Sequence, residues 1–228
     1  LESLGADALI TLPFDQQLAN LSPEQFVVNH LMPIRAKLVL VGQGFRFGHK
    51  GFGGIVELRQ LGERFGFRAK EIPTVVFGDL PVSSTEIRKA IAAGNFKAAN
   101  KMLGRNHQTE GMVEHGRKIG RQIGFPTANL ARNSEGLLPV DGVYAGWLYS
   151  DGVRYPAAHS VGTNDSIEAV PRLLESHVIG RDDLDLYDKI VTCEYVEQVR
   201  PWVKYESMEK LIAQIGSDVE ACRRVLGE

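Results

Sequence analysis

Near Arg105 the sequence changes period. From Gln108 onward the chain is cut into short β-rich runs such as TEGMVEHG, GVYAGWLYS, VRYPAAHSV, RLLESHVIG and KIVTCEYVEQV, separated by Gly, Asp, Asn and Pro turns. Short strands that follow one another without intervening helices bury their apolar faces by closing into an antiparallel barrel or packing as a sandwich. Residues 207–225, SMEKLIAQIGSDVEACRRV, start with a Ser in the N-cap position. They carry an apolar stripe at Leu211, Ile212, Ile215, Val219 and Cys222, which predicts a closing helix laid on the sheet.

Upstream of Arg105 the order is different. The run ADALITLPF reads as a buried strand, and Ser22-Pro23-Glu24-Gln25 supplies an N-cap, a proline at the first helical position and a capping-box partner, predicting a helix to about Leu31. Residues 37–42, KLVLVG, form a β-branched apolar run ending in Gly, as expected of a parallel strand buried on both faces, and a Gly-rich loop follows. Residues 54–65 have helical spacing, FRAKEIPTVVF returns to strand character, and residues 84–93 read as a second helix. This βαβα order favours a parallel sheet, so the fold class is α/β followed by β, with domains over 1–105 and 106–228.

Composition sets outer bounds. A chain of 228 residues, 43% hydrophobic, is long enough for two small cores. Its 26 Lys+Arg against 28 Asp+Glu give no global basic field, so a nucleic-acid partner is not expected and any anionic ligand must be held locally. Cys193 and Cys222 lack CxxC spacing, which argues for reduced thiols in a cytoplasmic protein. No apolar run approaches the roughly 20 residues needed to span a bilayer, so no membrane partner is expected. Trp147 and Trp202 read first as core residues, although one of them stacking on an aromatic ligand is a second use.

The strongest chemical signal is GRQIGFPTANL, residues 120–130. Pro126 extends the backbone around it, so Thr127 and Asn129, two apart, present a hydroxyl and an amide oxygen on one face. Such hard oxygens suit Mg²⁺ carried by a nucleotide. Gly116, Gly120 and Gly124, interleaved with Arg117, Lys118 and Arg121, let amides and cations approach phosphates. An ordinary Gly-rich turn leading into a strand explains the same residues about as well.

GRxxGxPTAN resembles the signature of the flavokinase family, the riboflavin kinases. LLPVDGVYAG, SVGTN, RLLESHV with Glu175, DLDLYDKIV and KYESMEKLIAQIGSDV follow in the family's order over 106–228. The resemblance implies a Greek-key barrel of about six strands with a C-terminal helix, in which ATP with Mg²⁺ meets riboflavin near Pro126. On it Gly116, Gly120, Arg121, Gly124 and Pro126 frame the nucleotide, Thr127 and Asn129 hold the metal, and Glu175 is the general base. No tightly bound prosthetic group is expected. Asp165-Ser166-Ile167 stands where the family has Pro-Thr-Phe, and Asp188 where it has Gly, so a flavin- or nucleotide-binding protein without turnover is the alternative.

GFRFGHKGFGG and VSSTEIRKAI resemble two motifs of the FAD synthetase module that precedes riboflavin kinase in bacterial bifunctional enzymes, a Rossmann-like nucleotidyltransferase that adenylylates FMN. By that resemblance Phe45 and Gly48 belong to the adenine-side loop, with His49 beside them. Ser83 or Ser84 caps a helix, while Ser84, Thr85 and Arg88 face phosphates. No HxGH motif stands before residue 40, and the sequence opens at Leu1, so the expectation is a partial adenylyltransferase half.

Overall fold

The computed structural model describes residues 4–116, 119–162 and 172–228. It divides into two units, Leu1–Val75 and Val76–Glu228. In the first unit, the Asp15 carboxylate accepts from the Leu18 amide and starts α1 (Gln16–Asn20). The predicted capping box starts α2 (Pro23–Phe26): Ser22 Oγ accepts from the Gln25 amide at 3.1 Å, and Gln25 Oε1 from the Ser22 amide at 2.8 Å. The helix continues as a π turn over Val27–Leu31. Strand β1 (Leu38–Gly42), helix α3 (Ile55–Phe65) and strand β2 (Arg68–Ile72) follow, and β1 pairs in parallel with β2. Val27, Val41, Phe47, Leu58 and Phe67 form this unit's core.

Three expectations fail here. ADALITLPF is extended coil, with Leu9 71% and Ile10 61% exposed, because β1 and β2 pair only with each other among the described residues and offer it no ladder. KLVLVG is buried on one face only. Val39 and Val41 pack with Leu58 of α3, while Leu38 and Leu40 are exposed, since a two-stranded sheet covered by one helix has one dry face. FRAKEIPTVVF does not stay one strand. β2 ends ahead of Pro73, which has no N–H to extend the ladder, and Val76–Phe77 (β3) instead pairs antiparallel with Leu80–Pro81 (β4).

In the second unit, Ser83 Oγ accepts from the Glu86 amide and caps α4 (Ser84–Ala92). Helix α5 (Phe96–Leu103), capped by Asn95, has no counterpart in the sequence reading. Its Phe96 and Ala99 enter the barrel core together with Ile91 of α4. This packing explains why the compact units divide at 75/76 although the sequence changes period at 105. The barrel strands are β5 (His107–Glu114), β6 (Ala128–Leu130), β7 (Gly142–Ser150), β8 (Val153–Gly162), β9 (Leu173–Val178) and β10 (Ile190–Pro201), with the short helix α6 (Ile119–Gln122) before β6. They close in the order β10-β5-β6-β9-β8-β7, every pair antiparallel.

Helix α7 (Met208–Leu226) lies on the barrel as predicted, with Val219 and Cys222 packed on Ala145, Ala158 and Ile179. Asp218 of α7 is 5% exposed and receives Arg200 Nη2 of β10 at 2.7 Å and Gln214 Nε2 at 2.8 Å. Neither tryptophan is a core residue. Trp147 lies half-buried under the Arg154 guanidinium, 3.9 Å from the ring centroid, and Trp202 is 41% exposed, because both fall on positions facing away from the closed interior.

Candidate active site

The site residues are set by the pairing of β6 with β9. Ala128 stands opposite Ser176 and Asn129 opposite Glu175. Side chains alternate across a strand, so Ala128 and Ser176 point inward and are buried, while Thr127, Asn129 and Glu175 share the outer face. Thr127 Oγ1 donates to Glu175 Oε2 at 3.3 Å. The structure thus brings together a hydroxyl, a carboxamide and a carboxylate from two segments far apart in sequence.

The glycines fit around this group. A Cβ on Gly116 would lie 2.5 Å from Asn129 Nδ2, so a side chain at 116 would push that carboxamide out of place. The Gly120 carbonyl accepts the Phe125 amide at 2.7 Å, and Gly124 turns the chain at φ 87°, a region glycine occupies without strain. Pro126 and Arg121 line a cleft with Thr127, and Arg181, Leu184 and Tyr187 line its opposite side. Tyr187 stacks on His115, with ring centroids 4.0 Å apart.

His159 is fully buried between Ser176 Oγ, 2.9 Å from Nδ1, and the Glu194 carbonyl, 3.2 Å from Nε2. Burial pushes its pKa down to about 4, against the opposing pull of backbone hydrogen bonds to Glu194 and Trp147. Burial also raises the Cys193 thiol to about 12, so it is inert. Asp188, in the loop before β10, takes the left-handed backbone at φ 58°.

The Thr127 hydroxyl and the Asn129 carboxamide oxygen are hard oxygens of the kind that could hold a divalent cation. Among the described residues no group of three or more His, Cys, Asp or Glu side chains stands ready for a metal.

The remaining sequence-predicted residues lie elsewhere. Phe45 stacks on Phe47 in the first unit's core, with centroids 5.6 Å apart, and Gly48 at φ 74° rests against the Pro23 ring. His49 Nδ1 is 3.3 Å from the Ala19 carbonyl. Ser84, Thr85 and Arg88 are exposed on α4 in the second unit, where Ser83 alone makes the cap. Residues 165–167 lie outside the described residues.

Sequence reasoning passed over His177, Arg181 and Tyr187. His177 sits two residues beyond Glu175, and the period of a strand would have placed both on one face.

The family model for riboflavin kinase matches residues 103–226, and that for FAD synthetase matches residues 1–86. The bifunctional riboflavin kinase/FMN adenylyltransferase of Haemophilus influenzae is 33% identical over 98% of this chain and 72% of its own length. That of Escherichia coli is 31% identical over all of this chain and 72% of its own. The chain belongs to this bifunctional family.

Its flavokinase domain begins at the end of α5 and runs through the barrel into α7. Its FAD synthetase match ends inside α4, so Ser83, Ser84 and Thr85 fall within that match and Arg88 falls beyond it. A crystal structure titled as a macrolide-efflux protein from Streptococcus pneumoniae has the same fold. It superposes with a TM-score of 0.86 at 31% identity, covering 97% of this flavokinase-family chain and 71% of that one. Among the described residues no helix is long and apolar enough to cross a membrane.

Proposed function

We propose that the chain transfers phosphate from ATP to riboflavin, giving FMN, on the outer face of β6 and β9, with Mg²⁺ as the metal. The observation that carries this reading is the cross-strand placement of Asn129 against Glu175, with Thr127 hydrogen-bonded to the same carboxylate. Phosphoryl transfer needs positioning, charge neutralisation and a base within reach of the attacking hydroxyl. Glu175 is the base and takes the proton of the terminal riboflavin hydroxyl. Thr127 and Asn129 orient the nucleotide through its metal. Arg121 and the backbone around Gly116, Gly120 and Gly124 face the phosphates, and Pro126 holds that segment extended. Mg²⁺, when bound with ATP, neutralises the phosphate oxygens. Leu184 and Leu186, which line a cleft together with Arg121, Pro126 and Thr127, supply the apolar wall that suits a flavin ring and keeps water out.

The functional halves on this reading are 1–105 and 106–228. Phe45, Gly48, Ser83, Ser84, Thr85 and Arg88 belong to nucleotide contacts of the FAD synthetase half. These 228 residues contain no HxGH motif, so the FAD synthetase half is read as partial and FMN as the chain's product. The test is a chromatographic assay of the purified chain with riboflavin and ATP, following FMN and FAD separately. FMN that requires Mg²⁺ and is not followed by FAD is the expected result. FAD formation overturns the second half of the reading. Absence of FMN overturns the first and leaves a binding protein without turnover.

A further inference from the structure

We infer that His177 is a positioning residue for phosphate transfer, holding the Pro126-Thr127 segment at the register that Thr127 and Asn129 need. The inference rests on the proposed kinase site and deepens it. His177 Nδ1 lies 2.8 Å from the Pro126 carbonyl oxygen. A carbonyl only accepts, so Nδ1 carries the hydrogen. The ring stands edge-on to Phe125, with centroids 5.5 Å apart and planes at 75°. β9 therefore grips the loop entering β6 at two consecutive residues, with His177 on Pro126 and Glu175 on Thr127.

Among the described residues the grip extends past the paired register of the two strands. The β6–β9 ladder runs through Ala128 and Asn129, so Pro126 and Thr127 lie beyond its end. Pro126 itself has no N–H to offer. Without the imidazole, the carbonyl of a partly buried residue loses its donor and Thr127 is anchored through its own hydroxyl alone. That hydroxyl is one of the groups assigned to the metal and nucleotide. The grip is also braced from behind. Phe125 packs in the cluster that α7 makes with Ile179, Val219 and Cys222, and the Arg223 charge on α7 acts on the His177 ring. Burial, then that charge, disfavour the imidazolium, while the Pro126 carbonyl favours it. The neutral ring donates through Nδ1 all the same.

The decisive comparison is His177→Leu with His177→Asn. The asparagine carboxamide NH₂ falls close to the place of Nδ1 and can still donate to Pro126, whereas leucine keeps bulk without a donor. Initial rates of FMN formation at varied ATP and varied riboflavin, with calorimetric titration of MgADP on the full chain, give the readout. His177→Leu should lower kcat/KM for ATP by roughly tenfold, the scale of one lost hydrogen bond, and weaken MgADP similarly while the KM for riboflavin holds. His177→Asn should restore most of both.

Equal nucleotide parameters in wild type and His177→Leu overturn the role. So does a loss that His177→Asn fails to rescue while its melting temperature matches wild type, because the ring would then serve packing alone. A wild-type chain that makes no FMN overturns the kinase reading, and MgADP titration then decides the grip separately, with unchanged binding in His177→Leu counting against it.

Discussion

The parallel sheet of the first unit and the barrel of the second put similar sequences to different use. In the first unit LVLVG of β1 has one strand beside it, and Leu38 and Leu40 face outward at 47% and 56% exposure. In the barrel GVYAGWLYS of β7 has β8 on one side and β10 on the other, and Tyr144, Ala145 and Leu148 are fully buried. Local apolarity is as high in β1 as in β7. What differs is the number of neighbours, and that number decides how firmly a strand position is fixed in space. The proposed site draws Asn129 and Glu175 from the closed sheet, where register cannot slip by one residue without turning the whole outer face inward.

The largest effect that bears on this contrast lies in the barrel core. Leu148→Ala leaves a void in a closed wall and should cost about 4 kcal/mol of stability. Both tryptophans lie in the second unit, so urea unfolding followed by tryptophan fluorescence reads that unit directly. A loss below about 1 kcal/mol would mean the barrel relaxes as an open sheet does.

Next comes the pH dependence of the same unit. The folded state keeps His159 neutral down to about pH 4, while the unfolded chain protonates it below about 6.5. The unfolded state therefore binds more protons in that window. The stability is fully present above about pH 6.5 and falls as pH drops toward 4, by about 3 kcal/mol. Wild type should lose that much more than His159→Gln between pH 7 and pH 4, and parallel curves would refute it.

At the site, Glu175→Gln should lower FMN turnover by about 10² while riboflavin binding, read by quenching of flavin fluorescence, survives. Loss of binding would sink the assignment of a base. The smallest effect belongs to the open sheet: Leu40→Thr should shift the unfolding of the first unit, followed by circular dichroism, by less than about 0.5 kcal/mol. A shift comparable with that of Leu148→Ala would erase the contrast between the sheets.

Much of this was legible in the sequence. The change of period near Arg105 pointed to an antiparallel barrel or sandwich and the family resemblance chose the barrel, Ser22 and Ser207 gave their helix starts, and Gly120 through Asn129 marked the proposed site because proline and closely spaced glycines constrain the backbone locally. The partner strand was harder to see. That Glu175 faces Asn129 depends on register between segments joined by more than forty residues, and only the family resemblance pointed to it. His177 was passed over because its value lies in a carbonyl it meets across the sheet. ADALITLPF misled for the opposite reason: its composition is that of a strand, but strand formation requires an edge to pair with. Helix α5 was missed because FKAANKML is short, and its stability comes from Phe96 stacking on Tyr195 at 5.0 Å rather than from its own pattern.

Strand β10 pairs with β5 on one side and β7 on the other, and it follows the other five barrel strands in chain order. The contact between Asn106 and Glu194 spans 88 residues. Until β10 arrives, a growing chain carries β5 and β7 as two open edges, and β6 and β9 belong to a ribbon still free to shift. Closure is therefore a late, single event with a long loop to shut, which makes the barrel slow to fold and most exposed to pairing with other chains in the moments before it closes. The same seam that gives the finished enzyme its fixed register sets the time during which it needs shelter.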